Sequence, residues 1–156
     1  VNLTEILATV VIAGLLTSVG FVGAREPLAR QELETASREI WLGLERARQV
    51  AERRGMACTM ELGPRGWQVP AGSSGCEGAQ SELFDLNGNS SLQISNNFAA
   101  ALNFTPNGLI LGGGTVILSH SGTSLRRCLV ISLPLGATRI GRYGSANNNN
   151  TCLPDG

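Results

Sequence analysis

VNLTEILATVVIAGLLTSVGF, residues 1–21, carries a single charged side chain, Glu5, in an otherwise uncharged run. Continued to residue 23 as a helix it would reach roughly 35 Å, enough to cross the hydrocarbon of a bilayer. A carboxylate deep in hydrocarbon costs about 3 kcal/mol, and less near the headgroups where position 5 would lie. In the first turn of a helix the macrodipole favours an acid by ~0.3–1 kcal/mol, which accounts for its being tolerated. It does not account for the lack of any other charge. A free α-amino group at Val1 is a cation with a pKa of about 8. The acid of a staggered neighbouring helix would pair with it. A secretory signal would have basic residues before the apolar run and a small-residue cleavage site after it. Neither is present, so the segment is read as the N-terminus of an already processed chain.

Beyond this run, EPLARQELETASREIWLGLERARQVAERRG is strongly helical in pattern. Ala29, Leu33, Ala36, Ile40, Leu44, Ala47 and Ala51 recur at spacings of three and four and form one apolar stripe. Glu26 with Arg30, and Glu34 with Arg38, stand four apart in the favourable order, each pair contributing ~0.3 kcal/mol. Gly55 is the expected stop. An unbroken helix over 1–54 would be roughly 80 Å long. Gly14, Gly20 and Gly23 each cost about 1 kcal/mol relative to alanine inside a helix, and Pro27 removes a backbone donor. A flexible point, either a kink or an unwound stretch, is therefore expected within 14–27.

The opening VNLTEILATVVIAGLL resembles the mature N-terminus of type IV pilins and of the pseudopilins of type II secretion. It differs from many of them in having Val at position 1, polar Asn2 and Thr4, and no proline near residue 22. The resemblance implies cleavage by a prepilin peptidase, N-methylation of Val1, and an assembly role for Glu5 and Val1. In that role Glu5 neutralises the amine of an adjacent subunit.

The second half alternates short β-prone runs with turn signals. Strands are expected at 57–62, 66–69, 81–86, 91–94, 101–105, 115–119, 125–132 and 138–141. GPRG, NGN, TPNG, LGGG and SHSG lie between them. Hairpins without intervening helices imply antiparallel sheets, and the stripe of 29–51 needs such a sheet to cover it. The fold class is thus α+β, a long N-terminal helix packed on a C-terminal antiparallel sheet. Three segments follow: an apolar helical one (1–27), an amphipathic helix (28–55) and a β-rich globular part (56–156). The order LERARQVAERRG, LNFTPNG, TVILS, CLVISLPLGATRIGR looks like the H-type minor pseudopilins over most of residues 40–143.

Cys58, Cys76, Cys128 and Cys152 are the four cysteines, and His120 is the single histidine. With no CxxC pair, a zinc site is disfavoured, and two disulfides in an oxidising compartment read better. Three pairings are open; Cys58–Cys76 and Cys128–Cys152 close short loops and are preferred. The polar tail YGSANNNNTCLPDG would float free but for Cys152, and a bridge to Cys128 would stabilise by ~3 kcal/mol on the chain-entropy model.

Twelve arginines balance twelve acids, which argues against a general polyanion binder. Residues 100–156 nevertheless carry four arginines against Asp155, a net +3. By position, Arg126, Arg127, Arg139 and Arg142 correspond to arginines that contact DNA in some relatives. The competing reading is that they are edge-strand gatekeepers. No catalytic set assembles. His120 sits in a turn without an evident nucleophile or acid partner, and LGGGT lacks the lysine and helix of a phosphate loop. No enzyme activity, cofactor or metal is expected. The reading is a structural pilin, in the inner membrane and periplasm before assembly and in a bacterial surface filament afterwards. Its partners would be itself as a homopolymer and the assembly machinery, with DNA a lesser candidate. The runner-up is a minor pilin or pseudopilin of a secretion or DNA-uptake machine, and a monomeric membrane-anchored ectodomain is a third class.

Overall fold

A computed structural model describes residues 2–22, 25–83, 91–99, 101–133, 135–146 and 149–155; the side chains of 14–22, 145–146 and 149–150 lie outside that description. Among the described residues, two helices, α1 (Leu3–Val22) and α2 (Arg25–Arg54), precede nine strands. The strands are β1 (Cys58–Gly63), β2 (Gly66–Gln68), β3 (Leu92–Asn96), β4 (Leu102–Phe104), β5 (Ile110–Leu111), β6 (Gly114–His120), β7 (Arg126–Ser132), β8 (Ala137–Ala146) and β9 (Asn149–Pro154). They form two sheets, ordered β2-β1-β4-β5 and β3-β6-β7-β8-β9, with antiparallel pairing throughout. The long helix and antiparallel sheets agree with the α+β reading.

All seven residues of the stripe are buried: Ala29, Leu33, Ala36, Ile40, Leu44, Ala47 and Ala51. All of them but Ala29 join Met60, Leu102 and Phe104 of the small sheet and Val116, Leu118, Leu129 and Ile131 of the large one in one core, so one helix face closes both sheets. Period-two alternation does the same on the strands, with Leu129 and Ile131 inward and Val130 outward. Small residues on the helix allow close approach. Gly43 is buried, and a Cβ there would collide with Cδ1 of Trp67 and stand 3.0 Å from Ser81 Oγ. Trp67 fills that space, and its Nε1–H donates to the Ile40 carbonyl at 2.7 Å.

α2 stops at Gly55, as expected. Its φ of +60° lets its N–H bond to the Glu52 carbonyl at 3.2 Å and the Met56 N–H to that of Ala51 at 3.3 Å. This paired closure satisfies two otherwise orphaned carbonyls. A Cβ at Gly55 would touch nothing, so Gly55→Ala isolates the backbone term. It is expected to destabilise by about 1 kcal/mol, read as a shifted urea midpoint with an unchanged slope.

Several expectations are corrected. Residues 81–83 are not strand, and 84–86 lie outside the described residues. The strands β5 and β9 were not expected. The first is too short to leave a pattern, and the second is built from asparagines that disfavour sheet. The tail, expected to be fastened through Cys152, is so fastened and in addition runs as a strand, β9 pairing with β8 from Gly141↔Pro154 to Ala146↔Asn149. Glu26 pairs with Arg30 at 2.7 Å, but Glu34 turns from Arg38 to Arg127, at 3.2 Å. Both preferred disulfides are formed, with Cα separations of 5.3 Å for Cys58–Cys76 and 5.8 Å for Cys128–Cys152.

Candidate functional site

Asn2 precedes α1, and its carbonyl accepts from the N–H groups of Glu5 (2.8 Å) and Ile6 (3.3 Å). Asparagine is a favoured residue at such a helix start, and Glu5 stands in the first turn, where an acid complements the macrodipole. Local chemistry thus admits this acid. The apolar side chains are less comfortable: Leu3, Ile6, Leu7, Val10, Val11 and Ile12 are each 51–77% exposed. Such a continuous apolar surface marks an interaction site. Among the described residues, which exclude the side chains of 14–22, no helix is long and apolar enough to cross a membrane.

Of the residues expected at the flexible point, Gly14 and Gly20 lie within the helical span of α1. Pro27 lies in the first turn of α2, where N–H groups have no intrahelical acceptor, so it forfeits no bond there. Val1 and Gly23 lie outside the described residues.

The four C-terminal arginines do not form one surface. Register places Arg126 and Arg139 on the outer face of the large sheet, with Cys128 and Val130, and Arg127 and Arg142 on the face toward α2. Arg127 is buried; its Nη1 and Nη2 donate to both carboxylate oxygens of Asp155, at 3.0 and 2.6 Å. Nη2 also lies 3.2 Å from Glu34 Oε2, and Arg142 Nε is 3.9 Å from Asp155. The expectation of a shared DNA contact therefore fails for Arg127, whose charge is committed to a clasp joining α2, β7 and the tail. Alternation in LRRCLVIS could have shown this, because it puts Arg127 in phase with Leu129 and Ile131.

The hydrogen bond from Arg127 holds the Asp155 carboxyl below the usual carboxylate range, against a smaller opposing effect of desolvation. The folded state therefore binds this proton less readily than the unfolded one. Its stabilisation is fully present above the ordinary value of 3.8 and fades as pH falls through the lower, folded-state value. Urea titrations of the wild type and Asp155→Asn are expected to differ at neutral pH and to converge in strong acid. A gap that survives acidification would place the effect elsewhere.

His120 ends β6 and does have an acid partner, contrary to expectation: Nε2 lies 2.9 Å from Glu32 Oε2. Its Nδ1 accepts the Gly122 N–H at 2.9 Å, which fixes the neutral ring with its proton on Nε2, aimed at Glu32. The pair ties α2 to the β6–β7 turn. Glu32 and His120 lie 88 positions apart, a distance at which sequence spacing carries no signal. Among the described residues, no group of three or more potential metal ligands comes together.

A family model described as type II transport protein GspH matches residues 36–135, from within α2 to the β7–β8 turn. The chain belongs to the GspH family. Neither a curated protein nor a solved structure matches it. The match begins past α1, so membership rests on the α2-and-sheet part of this GspH-family chain. For α1, Glu5 and the last two strands, β8 and β9, there is only their own chemistry.

Proposed function

We propose that the chain is a minor pseudopilin of a type II secretion machine, a structural subunit that enters a short pseudopilus through α1. The observation that carries this is the GspH match across α2 and most of the sheets. It favours the runner-up over an abundant pilin of a surface fibre. The exposed apolar side chains of α1 supply the surface for packing beside other subunits, each Å² removed from water contributing ~25 cal/mol.

In this reading residues 1–27 serve as membrane segment and filament core, with their flexible point at Gly14, Gly20, Gly23 and Pro27. Residues 28–55 cover the sheets, and 56–156 form the periplasmic body. Before assembly the apolar run rests in the inner membrane. Glu5 meets the amino end of a neighbouring subunit, at Val1, the position proposed for methylation. The role is structural, and the two disulfides suit an oxidising periplasm.

Deleting the gene and assaying the medium tests the proposal. Exported enzymes should accumulate in the periplasm, and a tagged copy should co-purify with pseudopili at far below the level of their main subunit. Long fibres made of this chain alone, with secretion intact, would instead restore the pilin reading.

A further inference from the structure

The outer face of the large sheet, turned away from α2, holds a groove of ≈ 400 Å³. Its floor is half-buried and apolar, formed by Ile117 and Val130 with Cys152 at one side. Around it stand Ser95, Thr115 and Tyr143. None of their three hydroxyls bonds to another described residue. Among the described residues, no charged side chain lines the groove.

Charge lies at its margins instead. Arg139 stands directly opposite the floor residue Val130. Arg126, on the same face, is four residues earlier on β7, about 13 Å along the strand. Both are exposed, and neither forms an ion pair among the described residues. The five strands of this sheet contain no Asp or Glu at all. The face is therefore a neutral, hydroxyl-rimmed trough with one aromatic ring, bracketed by two unpaired cations.

We propose that this face binds an acidic oligosaccharide, a chain of uronic acid residues. Arg126 and Arg139 would take carboxylates, which guanidinium groups bind through paired, charge-assisted hydrogen bonds. The apolar faces of the sugar rings would rest on Ile117, Val130 and Tyr143, with their hydroxyls bonding to the three around the rim. The volume falls within the range of small-ligand sites.

A neutral sugar leaves the arginines unused. A single nucleic acid strand asks for successive aromatic platforms along a continuous basic track, whereas Tyr143 is alone and the cations are far apart. An extended peptide adding as a strand needs a free sheet edge, and this groove lies across the face. The proposal is independent of the assembly role.

The test is titration of the isotope-labelled full chain in detergent micelles with a guluronic acid hexamer. Maltohexaose and a six-residue oligothymidylate serve as competing probes. The hexamer should shift the amide signals of Thr115, Ile117, Val130 and Tyr143. Arg126→Gln combined with Arg139→Gln should weaken binding at least about tenfold. Tyr143→Ala should weaken it severalfold, and Arg25→Gln should leave it unchanged. The proposal is overturned by an absence of shifts in these signals, or by undiminished binding in the arginine double variant with its spectrum otherwise intact. Equal or tighter binding of maltohexaose or the oligothymidylate overturns it as well.

Discussion

Glu5→Ala is expected to leave the chain in the membrane fraction at wild-type abundance and to remove it from the pseudopilus, with secretion falling by more than tenfold. The acid contributes nothing to the ectodomain, because it lies on α1 among exposed apolar residues and makes no ion pair among the described residues. Removing it makes the segment more apolar, so membrane residence should if anything improve. What is lost is the one charge that can fix the register of a neighbouring helix. A charge pair shielded from water is worth far more than the same pair in solvent. Glu5→Asp should restore part of the incorporation, since it keeps the charge on a shorter stem. Crosslinking to adjacent subunits, measured beside membrane fractionation, separates the two steps. Wild-type incorporation of the alanine variant would remove Glu5 from the assembly mechanism.

Gly43→Ala is expected to destabilise the ectodomain by about 3 kcal/mol, the upper part of the range for overpacking, lowering Tm by roughly 10 °C. Alanine normally strengthens a helix by about 1 kcal/mol over glycine, so the sign itself is diagnostic. The new methyl would collide with Trp67, which is 1% exposed and held by its bond to the Ile40 carbonyl. That ring has no free volume to enter. In a Trp67→Leu background the same substitution should cost far less, because the obstructing ring is gone. A double-mutant cycle gives the coupling directly. Additive effects would show that Trp67 is not what excludes a side chain at position 43.

The features legible in the sequence were those with local periodicity. Seven positions at helical spacing marked the buried stripe of α2, a lone glycine marked its end, and alternating apolar residues marked β1, β6 and β7. The family was legible too, in the order of its short motifs. What escaped was set by contacts across the chain. Asn149–Pro154 reads as a polar tail fastened by the Cys128 bridge, but its pairing as a strand with β8 and the hold of Arg127 on Asp155 leave no local signal. Glu34 satisfies the rule for a bond to Arg38 but finds in Arg127 a buried cation, a stronger attraction than a solvated pair offers. The outer-face groove was invisible because its residues come from five strands, and only the register brings Ser95, Thr115 and Tyr143 to one side.

The contact of Arg127 with Glu34 on one side and Asp155 on the other has a mechanical meaning. Were the subunit anchored through α1, as proposed, tension would enter the β-rich body along α2. Glu34 lies some twenty residues ahead of Gly55, where the chain turns into β1. Part of the load is therefore handed sideways to the large sheet before it reaches that turn. Asp155, just past β9, is fastened at the same point, so such a pull would shear the sheet against the helix instead of peeling β9 away.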